Sequence, residues 1–197
     1  MPLRFTCLII LLFGLTSCIG LKPRPDETKT YALGLPEPIQ SSSAISTAKG
    51  YIDRPQLPVY MEGSQLKLIS NDREIVNLPD ARWAESMDVG VARAMSYYIE
   101  TLSGGIKSDF YPWVRTVEAA FTLQLNFQYL IATSDGRILV AASWKYEHIA
   151  GETKTGIFSN NTIEWLPGDA QSMVDGINAA LKLLATEIAD SLKKEEL

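Results

Sequence analysis

The segment Val117–Tyr129 alternates between apolar and polar side chains over thirteen residues. A period of two places alternate side chains on opposite faces of a strand, so this pattern predicts a long β-strand with one buried and one hydrated face. Asp135-Gly136 follows, and this pair favours a tight turn because glycine adopts a positive φ without steric cost. The sequence therefore predicts a β-hairpin whose return strand runs from Ile138 to His148.

Two other segments follow the helical period of 3.6 residues, and each carries one apolar stripe. The first helix is predicted from Ser86 to Leu102, ending at Gly104-Gly105, and the second begins at about Asp169. The stripes are Met87, Val91, Ala94, Met95, Tyr98 and Leu102 in the first helix, and Val174, Ile177, Leu181, Leu184, Ile188 and Leu192 in the second.

Short strands are predicted at Thr30–Leu35, Gln65–Ser70 and Arg73–Pro79. Along the chain, the predicted order is short strands, a helix, a β-hairpin and a second helix. This order is typical of an α+β fold. We expect a mainly antiparallel sheet with two amphipathic helices packed on one face.

Size and composition restrict the function classes. A chain of 197 residues with a formal net charge of −5 suits one folded domain and not a broad basic surface for nucleic acid. Two cysteines and one histidine cannot build a disulfide-rich scaffold or a His-based metal site, so no metal and no cofactor are expected.

The N-terminus has the form of a targeting signal. Arg4 precedes an apolar run too short to span a bilayer, and the run ends in Leu15-Thr16-Ser17-Cys18. This ending resembles the signal of bacterial lipoproteins. The resemblance implies that residues 1–17 are removed and that Cys18 carries lipid chains such as palmitate. An ordinary cysteine near a conventional cleavage site is the alternative.

The lipidated Cys18 and a flexible tether are expected to occupy residues 18–29, followed by a periplasmic α+β domain over residues 30–197. Prolines and charged residues dominate Ile19–Thr28, a composition that favours extended chain and reaches roughly 30 Å. Ile19 stands where lipoproteins retained in the inner membrane usually have Asp. By analogy, this places the anchor in the outer membrane of a Gram-negative bacterium, facing the periplasm.

Two short motifs, Tyr51–Gln56 and Arg82–Glu85, stand in an order that resembles the ABC-type transport auxiliary lipoproteins, the PqiC/YmbA-like family. The resemblance extends from about Tyr31 to Leu192. It implies an accessory lipoprotein of an MCE-type lipid transport system, with an MCE-domain periplasmic protein as partner and a role in membrane integrity. The sequence departs from the family pattern at Pro58, which predicts an edge strand, and at Ser86.

Within these motifs, Arg54 and Trp83 are the candidate partner-binding residues. Arg54 could hold a carboxylate or phosphate bidentately, and Trp is common at interface anchors. The alternatives are structural: Arg54 in an ion-pair network with Asp53 and Glu85, and Trp83 fastening the following helix to the sheet. The other three tryptophans are interpreted as core or rim residues.

No catalytic constellation is recognisable, so the protein is not expected to be an enzyme. His148 is the only histidine, and the carboxylate pairs Glu85/Asp88 and Glu187/Asp190 are interpreted as helix-surface charge. Docking on a transport conduit is the expected function. An independent periplasmic lipid carrier is the alternative, and a homo-oligomer is possible.

Overall fold

The predicted hairpin is the centre of the sheet. The computed structural model of the protein describes residues 26–34, 49–103, 107–113 and 119–193. Cys18, most of the tether and Gly104-Gly105 lie outside these residues. The described strands are β1 Lys29–Tyr31, β2 Lys49–Ile52, β3 Gln65–Ile69, β4 Ile75–Trp83, β5 Lys107–Phe110, β6 Phe121–Thr133, β7 Arg137–His148 and β8 Thr153–Glu164.

The strands form one sheet, which branches at β6. On one side, β6 pairs antiparallel with β7, and β7 pairs antiparallel with β8. On the other side, the start of β6 pairs with β2 and its end pairs with β3. β5 lies beyond β2, and β4 and β1 lie beyond β3.

The α+β class is confirmed, but the sheet is mixed. The pairs β1–β4, β2–β5, β2–β6 and β3–β6 are parallel. The longest ladders, within β6–β7–β8, are antiparallel. Periodicity shows which face of a strand is buried but carries no information on its direction relative to a distant neighbour, so the parallel pairs could not be predicted.

Both predicted helices are present, α1 at Met87–Leu102 and α2 at Ala170–Lys193. They pack against each other on one face of the sheet, α1 near β2 and β5 and α2 on β6, β7 and β8. The apolar stripes face this layer, as expected. Their core positions are almost inaccessible to solvent, namely Met87, Val91, Ala94, Met95, Val174, Ile177, Leu181, Leu184 and Ile188.

The predicted alternation holds from Phe121 only as far as Phe127, and the first two residues of the predicted strand, Val117 and Glu118, lie outside the described residues. A β-bulge between Phe127 and Tyr129 shifts the register against β7. The extra residue turns Tyr129 to the solvent face, whereas the pattern had placed it on the buried face. A bulge inserts one residue into the two-residue period, so every later side chain changes face.

Two further features differ from the sequence predictions. Pro58 lies in no strand; it precedes a short 3-10 helix at Val59–Met61. β8 was not predicted at all. Its side chains alternate between exposed and partly buried positions, but the partly buried positions include Lys154, Gly156 and Asn160, so the sequence lacks the apolar–polar alternation of a half-buried strand.

The turn between β6 and β7 provides a test of the hairpin. Gly136 has φ +89°, and a Cβ there would lie 3.1 Å from the carbonyl oxygen of Trp165. We expect Gly136→Val to lower the free energy of unfolding by about 1–3 kcal/mol, since a β-branched residue is strained at positive φ. Chemical denaturation measures the change. A loss under about 0.5 kcal/mol, the range of ordinary surface substitutions, would show that the turn tolerates a side chain.

Candidate functional site

Arg54 lies on a segment that continues β2 along the edge of β6. The backbone N–H of Asp53 donates to the carbonyl of Leu123 at 3.0 Å, and that of Gln56 donates to Leu125 at 2.9 Å. Gln56 in turn accepts from the N–H of Phe127 at 2.8 Å. These bonds hold the backbone of residues 53–56 against the centre of the sheet, so the position of Arg54 is well defined.

The guanidinium of Arg54 has two partners on other elements. Its Nε donates to Oδ2 of Asp88 at 2.8 Å, and its central carbon lies 5.4 Å from the centre of the Tyr111 ring. The first contact is a charge-assisted hydrogen bond and the second a cation–π contact. The side chain is nevertheless 67% exposed. A donor-rich cation is therefore held in one orientation and open to solvent.

Asp88 orients this cation from the first turn of α1. Its Oδ1 accepts the backbone N–H of Val89 at 3.0 Å, while Oδ2 accepts from Arg54. Partial burial alone raises the pKa of Asp88, but hydrogen bonds from Ser86, Arg54 and Val89 outweigh it and lower the pKa below 3.8. A carboxylate in the first turn is also stabilised by the helix dipole.

The lowered pKa of Asp88 predicts the sign of a pH effect. A carboxyl whose pKa is lower in the folded state stabilises the fold above its unfolded pKa, and that contribution is lost as the pH falls through the folded pKa. We expect the melting temperature of the wild type to exceed that of Asp88→Asn at pH 6, with the difference shrinking below pH 3.8. Thermal melts at several pH values measure it. A difference that stays constant down to pH 2 would contradict this role.

Two aromatic residues that the sequence analysis did not assign to partner binding, Tyr111 and Trp113, follow β5, and the first of them contacts Arg54. Tyr111 stacks under the guanidinium, and Trp113 follows two residues later with 67% of its surface exposed. The hydroxyl of Tyr51 donates to the carbonyl of Trp113 at 3.0 Å, which links this turn to β2. We call Arg54, Asp88, Tyr111 and Trp113 the Arg54 surface. The aromatic residues Tyr111 and Trp113, separated by one proline, are the local sequence signal for the part of this surface that the sequence analysis missed.

Arg54 also lines two open cavities, one on each side of it. The larger, of about 830 Å³, lies on the hydrated face of the sheet between residues 53–56 and the outward side chains of β6, β7 and β8. The smaller, of about 490 Å³, extends from Arg54 to Met61 and Ser86. Both are lined by mixed polar and apolar groups. Arg54 is therefore the cation that borders both cavities.

The ion-pair network proposed for Asp53, Arg54 and Glu85 does not form as expected. Asp53 accepts from the side-chain amide of Gln124 at 3.3 Å, and Glu85 forms an ion pair with Arg93. Arg54 pairs with Asp88 instead. The carboxylates of Glu85 and Asp88 thus each pair with an arginine, Glu85 with the nearby Arg93 of α1 and Asp88 with Arg54, which is distant in sequence.

Trp83 lies apart from this surface. It ends β4, is 7% exposed and belongs to the main core cluster. With Met61 and Ile177 it borders a void of about 10 Å³ between the sheet and α2. No cavity described in the structure is bordered by both Arg54 and Trp83. Of the two roles considered for Trp83, this burial favours packing over direct partner contact.

The remaining candidates have local structural roles. His148 Nδ1 accepts the backbone N–H of Ala150 at 3.1 Å in the turn between β7 and β8. Within residues 26–34, 49–103, 107–113 and 119–193, no three His, Cys, Asp or Glu side chains cluster as metal ligands would. Across the same residues, neither helix combines the length and apolar character needed to span a bilayer.

Comparison with known families gives one match over most of the chain. A family model described as the ABC-type transport auxiliary lipoprotein component matches residues 31–189. Among curated proteins, none is similar enough to count as a match.

Solved structures share the fold at low sequence identity. The crystal structure of an uncharacterized protein matches with a TM-score of 0.66 at 15% identity, covering 84% of this chain and 99% of that one. Protein XCC0632 from Xanthomonas campestris, of the family DUF330, matches with a TM-score of 0.59 at 11% identity, covering 82% and 93%. A PelC dodecamer from Paraburkholderia phytofirmans has a TM-score of 0.42 at 12% identity, covering 77% and 91%. The first two similarities concern the fold alone, and the third is too distant to support an argument.

Proposed function

The chain belongs to the family of ABC-type transport auxiliary lipoprotein components, and from this we propose that it is an accessory lipoprotein of an MCE-type lipid transport system. In this proposal the protein is anchored in the outer membrane through Cys18 and faces the periplasm. It docks on the periplasmic conduit, an MCE-domain protein, and so supports membrane integrity. It acts by binding and not by catalysis.

The Arg54 surface is the observation that supports docking. Arginine, tyrosine and tryptophan are the residue types most enriched among those that dominate binding energy at interfaces. Here Arg54 contacts Tyr111, the exposed Trp113 follows Tyr111 by two residues, and Arg54 is oriented in advance by Asp88. A pre-oriented side chain loses less conformational entropy on binding than a mobile one. The guanidinium directs its remaining donors to solvent, where a carboxylate of a partner can accept them.

The alternative function, an independent lipid carrier, is less well supported. A carrier needs an apolar cavity large enough for acyl chains. The void between the sheet and α2 measures only about 10 Å³, and the two larger cavities are open grooves whose mixed walls include the charged residues Asp53, Lys145 and Glu62.

Crosslinking in intact envelopes tests the proposed partner. We expect the full-length lipoprotein, crosslinked in living cells and purified under denaturing conditions, to carry an MCE-domain protein identified by mass spectrometry. A matched sample without crosslinker identifies proteins that bind the resin. Recovery of other envelope proteins, with no MCE-domain protein among them, would contradict the assignment to this transport class.

The lipid anchor has its own test. We expect Cys18→Ala to remain unprocessed or unlipidated, because the acyl chains attach to this thiol. Several chains are needed for stable anchoring, since one alone binds a membrane only weakly. Membrane fractionation and the mass of the mature protein measure the effect. Cys7→Ala is the matched control and should be processed normally. Unchanged mass and fractionation in Cys18→Ala would disprove the lipidation site.

A further inference from the structure

Strand β8 forms an edge of the sheet. Within the residues that the structure describes, it pairs with β7 along one side and with no strand along the other. It spans Thr153–Glu164, which is long for an edge strand. An unpaired edge offers a row of backbone donors and acceptors, and soluble proteins usually protect such edges with charges, prolines or bulges.

The register identifies which backbone groups face outward. The N–H of His148 donates to the carbonyl of Glu152 at 2.8 Å, which marks these two as a hydrogen-bonded pair. Hydrogen-bonded and non-hydrogen-bonded pairs alternate along an antiparallel ladder. The register continues without a shift from Glu147–Thr153 to Ala141–Ser159. Thr155, Ile157 and Ser159 therefore direct their N–H and C=O groups away from β7.

The usual protections are missing over this span. The residues from Thr155 to Ile163 carry no charge. Lys154 is directed elsewhere, with its Nζ donating to the carbonyl of Ser191 at 3.2 Å and pairing with Glu152 at 3.1 Å. The bulge in this ladder lies beyond Ser159, where the side chain of Asn160 accepts the N–H of Thr162 at 3.0 Å. Only the far end of the edge is therefore blocked.

We propose that this edge pairs with the same edge of a second copy of the chain, antiparallel about a two-fold axis at Ile157. The three outward residues are self-complementary in that arrangement. Thr155 faces Ser159 of the other copy, a hydroxyl pair, and Ile157 faces its own equivalent, an apolar pair. The outward groups then form roughly six backbone hydrogen bonds between the copies.

Exposed apolar side chains flank the edge on both faces of the sheet. On the hydrated face, Ile157 is 83% exposed, the highest value among the large apolar residues described. On the helix face, Glu187 of α2 accepts the indole N–H of Trp144 at 3.2 Å, which turns this side of the helix toward β7 and β8. Leu183 lies one turn earlier on the same side and is also exposed. Pairing covers Ile157 and brings two Leu183 side chains toward the seam.

This inference does not depend on the proposed function, and disulfide crosslinking tests it directly. In an antiparallel hydrogen-bonded pair the Cα atoms lie about 5.5 Å apart, within the range of a disulfide. We expect full-length Ile157→Cys, oxidised in isolated envelopes, to form a covalent dimer of the chain. Gln124→Cys, on the same face of the sheet but on β6, is the matched control and should stay monomeric. The proposal would be overturned if oxidised Ile157→Cys remained entirely monomeric, or if it formed a crosslink to a different protein.

A second measurement separates edge pairing from other contacts of the same face. The N–H of Ile157 makes no bond to β7, so Ile157→Pro removes an outward donor and leaves the ladder intact. We expect the detergent-solubilised full-length protein to be a dimer by light scattering. Ile157→Pro should halve that mass, whereas Ile157→Thr, which keeps the N–H, should not. If the proline variant loses its thermal transition, Ile157→Lys gives the same readout through charge repulsion. A monomeric wild type, or a dimer that persists in both Pro and Lys variants, would show that β8 is not the interface.

Discussion

Trp83→Ala is expected to lower the free energy of unfolding by about 3–5 kcal/mol, the range for removing a buried Trp from a core. The indole is 7% exposed and packs among Met61 and the α2 residues Met173 and Ile177. The core between sheet and helix cannot collapse into so large a space without moving α2. Because domains of this size are stable by only about 5–15 kcal/mol, the variant should be marginally folded. Urea denaturation measures the change.

Trp113→Ala is the matched control for this prediction. Trp113 is the same residue type but is 67% exposed, so its removal should change stability by less than about 0.5 kcal/mol. Any loss of partner capture by Trp83→Ala should then follow the loss of folded protein. A stable Trp83→Ala protein that no longer captured the partner would instead favour the direct contact role considered for this residue.

Arg54→Ala is expected to weaken capture of the MCE-domain partner by about 30-fold, the size typical of a dominant interface residue. The physical reason is the loss of an exposed, pre-oriented guanidinium over Tyr111. The ion pair with Asp88 is largely solvent-exposed on the arginine side, so the fold should remain intact. Binding and thermal stability are to be measured on the same purified protein. In cells, we expect sensitivity to membrane-perturbing agents.

Two variants make the Arg54 measurement specific. Arg137→Ala removes another exposed arginine in an ion pair, with Asp135 in the turn between β6 and β7, and should bind normally. Arg54→Lys keeps the charge but not the planar fork of donors, and should bind with intermediate affinity. If Arg54→Ala is stable and binds as the wild type does, the docking surface lies elsewhere on the protein, even though the family assignment stands.

The elements with a clear period could be predicted because periodicity depends on local sequence. Most of the stripe positions of α1 and α2 are buried as expected, and Gly136 occupies the positive-φ position of the turn. β8 could not be predicted, since its inward positions include Lys154, Gly156 and Asn160 and its sequence therefore shows no apolar–polar alternation. Tyr129 was placed on the wrong face because the bulge before it depends on pairing with β7.

The candidate site could be predicted only in part, because its contacts also depend on segments that are far apart in the chain. The motif around Arg54 indicated a recognition residue, but its partners come from positions distant in sequence, Asp88 on α1 and Tyr111 after β5. Charge and aromatic character are visible in a sequence, whereas exposure is not. Trp83 was therefore a candidate for partner contact and Trp113 was interpreted as a core or rim residue, whereas packing buries Trp83 and exposes Trp113.

The sequence by itself determined the family, the α+β class and the faces of the main elements, because these depend on motifs and on periods within one segment. Tertiary structure alone decided the parallel pairing of β2 and β3 with β6, the contact of Arg54 with Asp88 and Tyr111, and the open edge of β8. The strand pairings and the Arg54 contacts join segments far apart in the chain, and the open edge depends on where the other described strands lie. Their geometry follows from how the sheet and helices bury their apolar faces together, a property that no single segment contains.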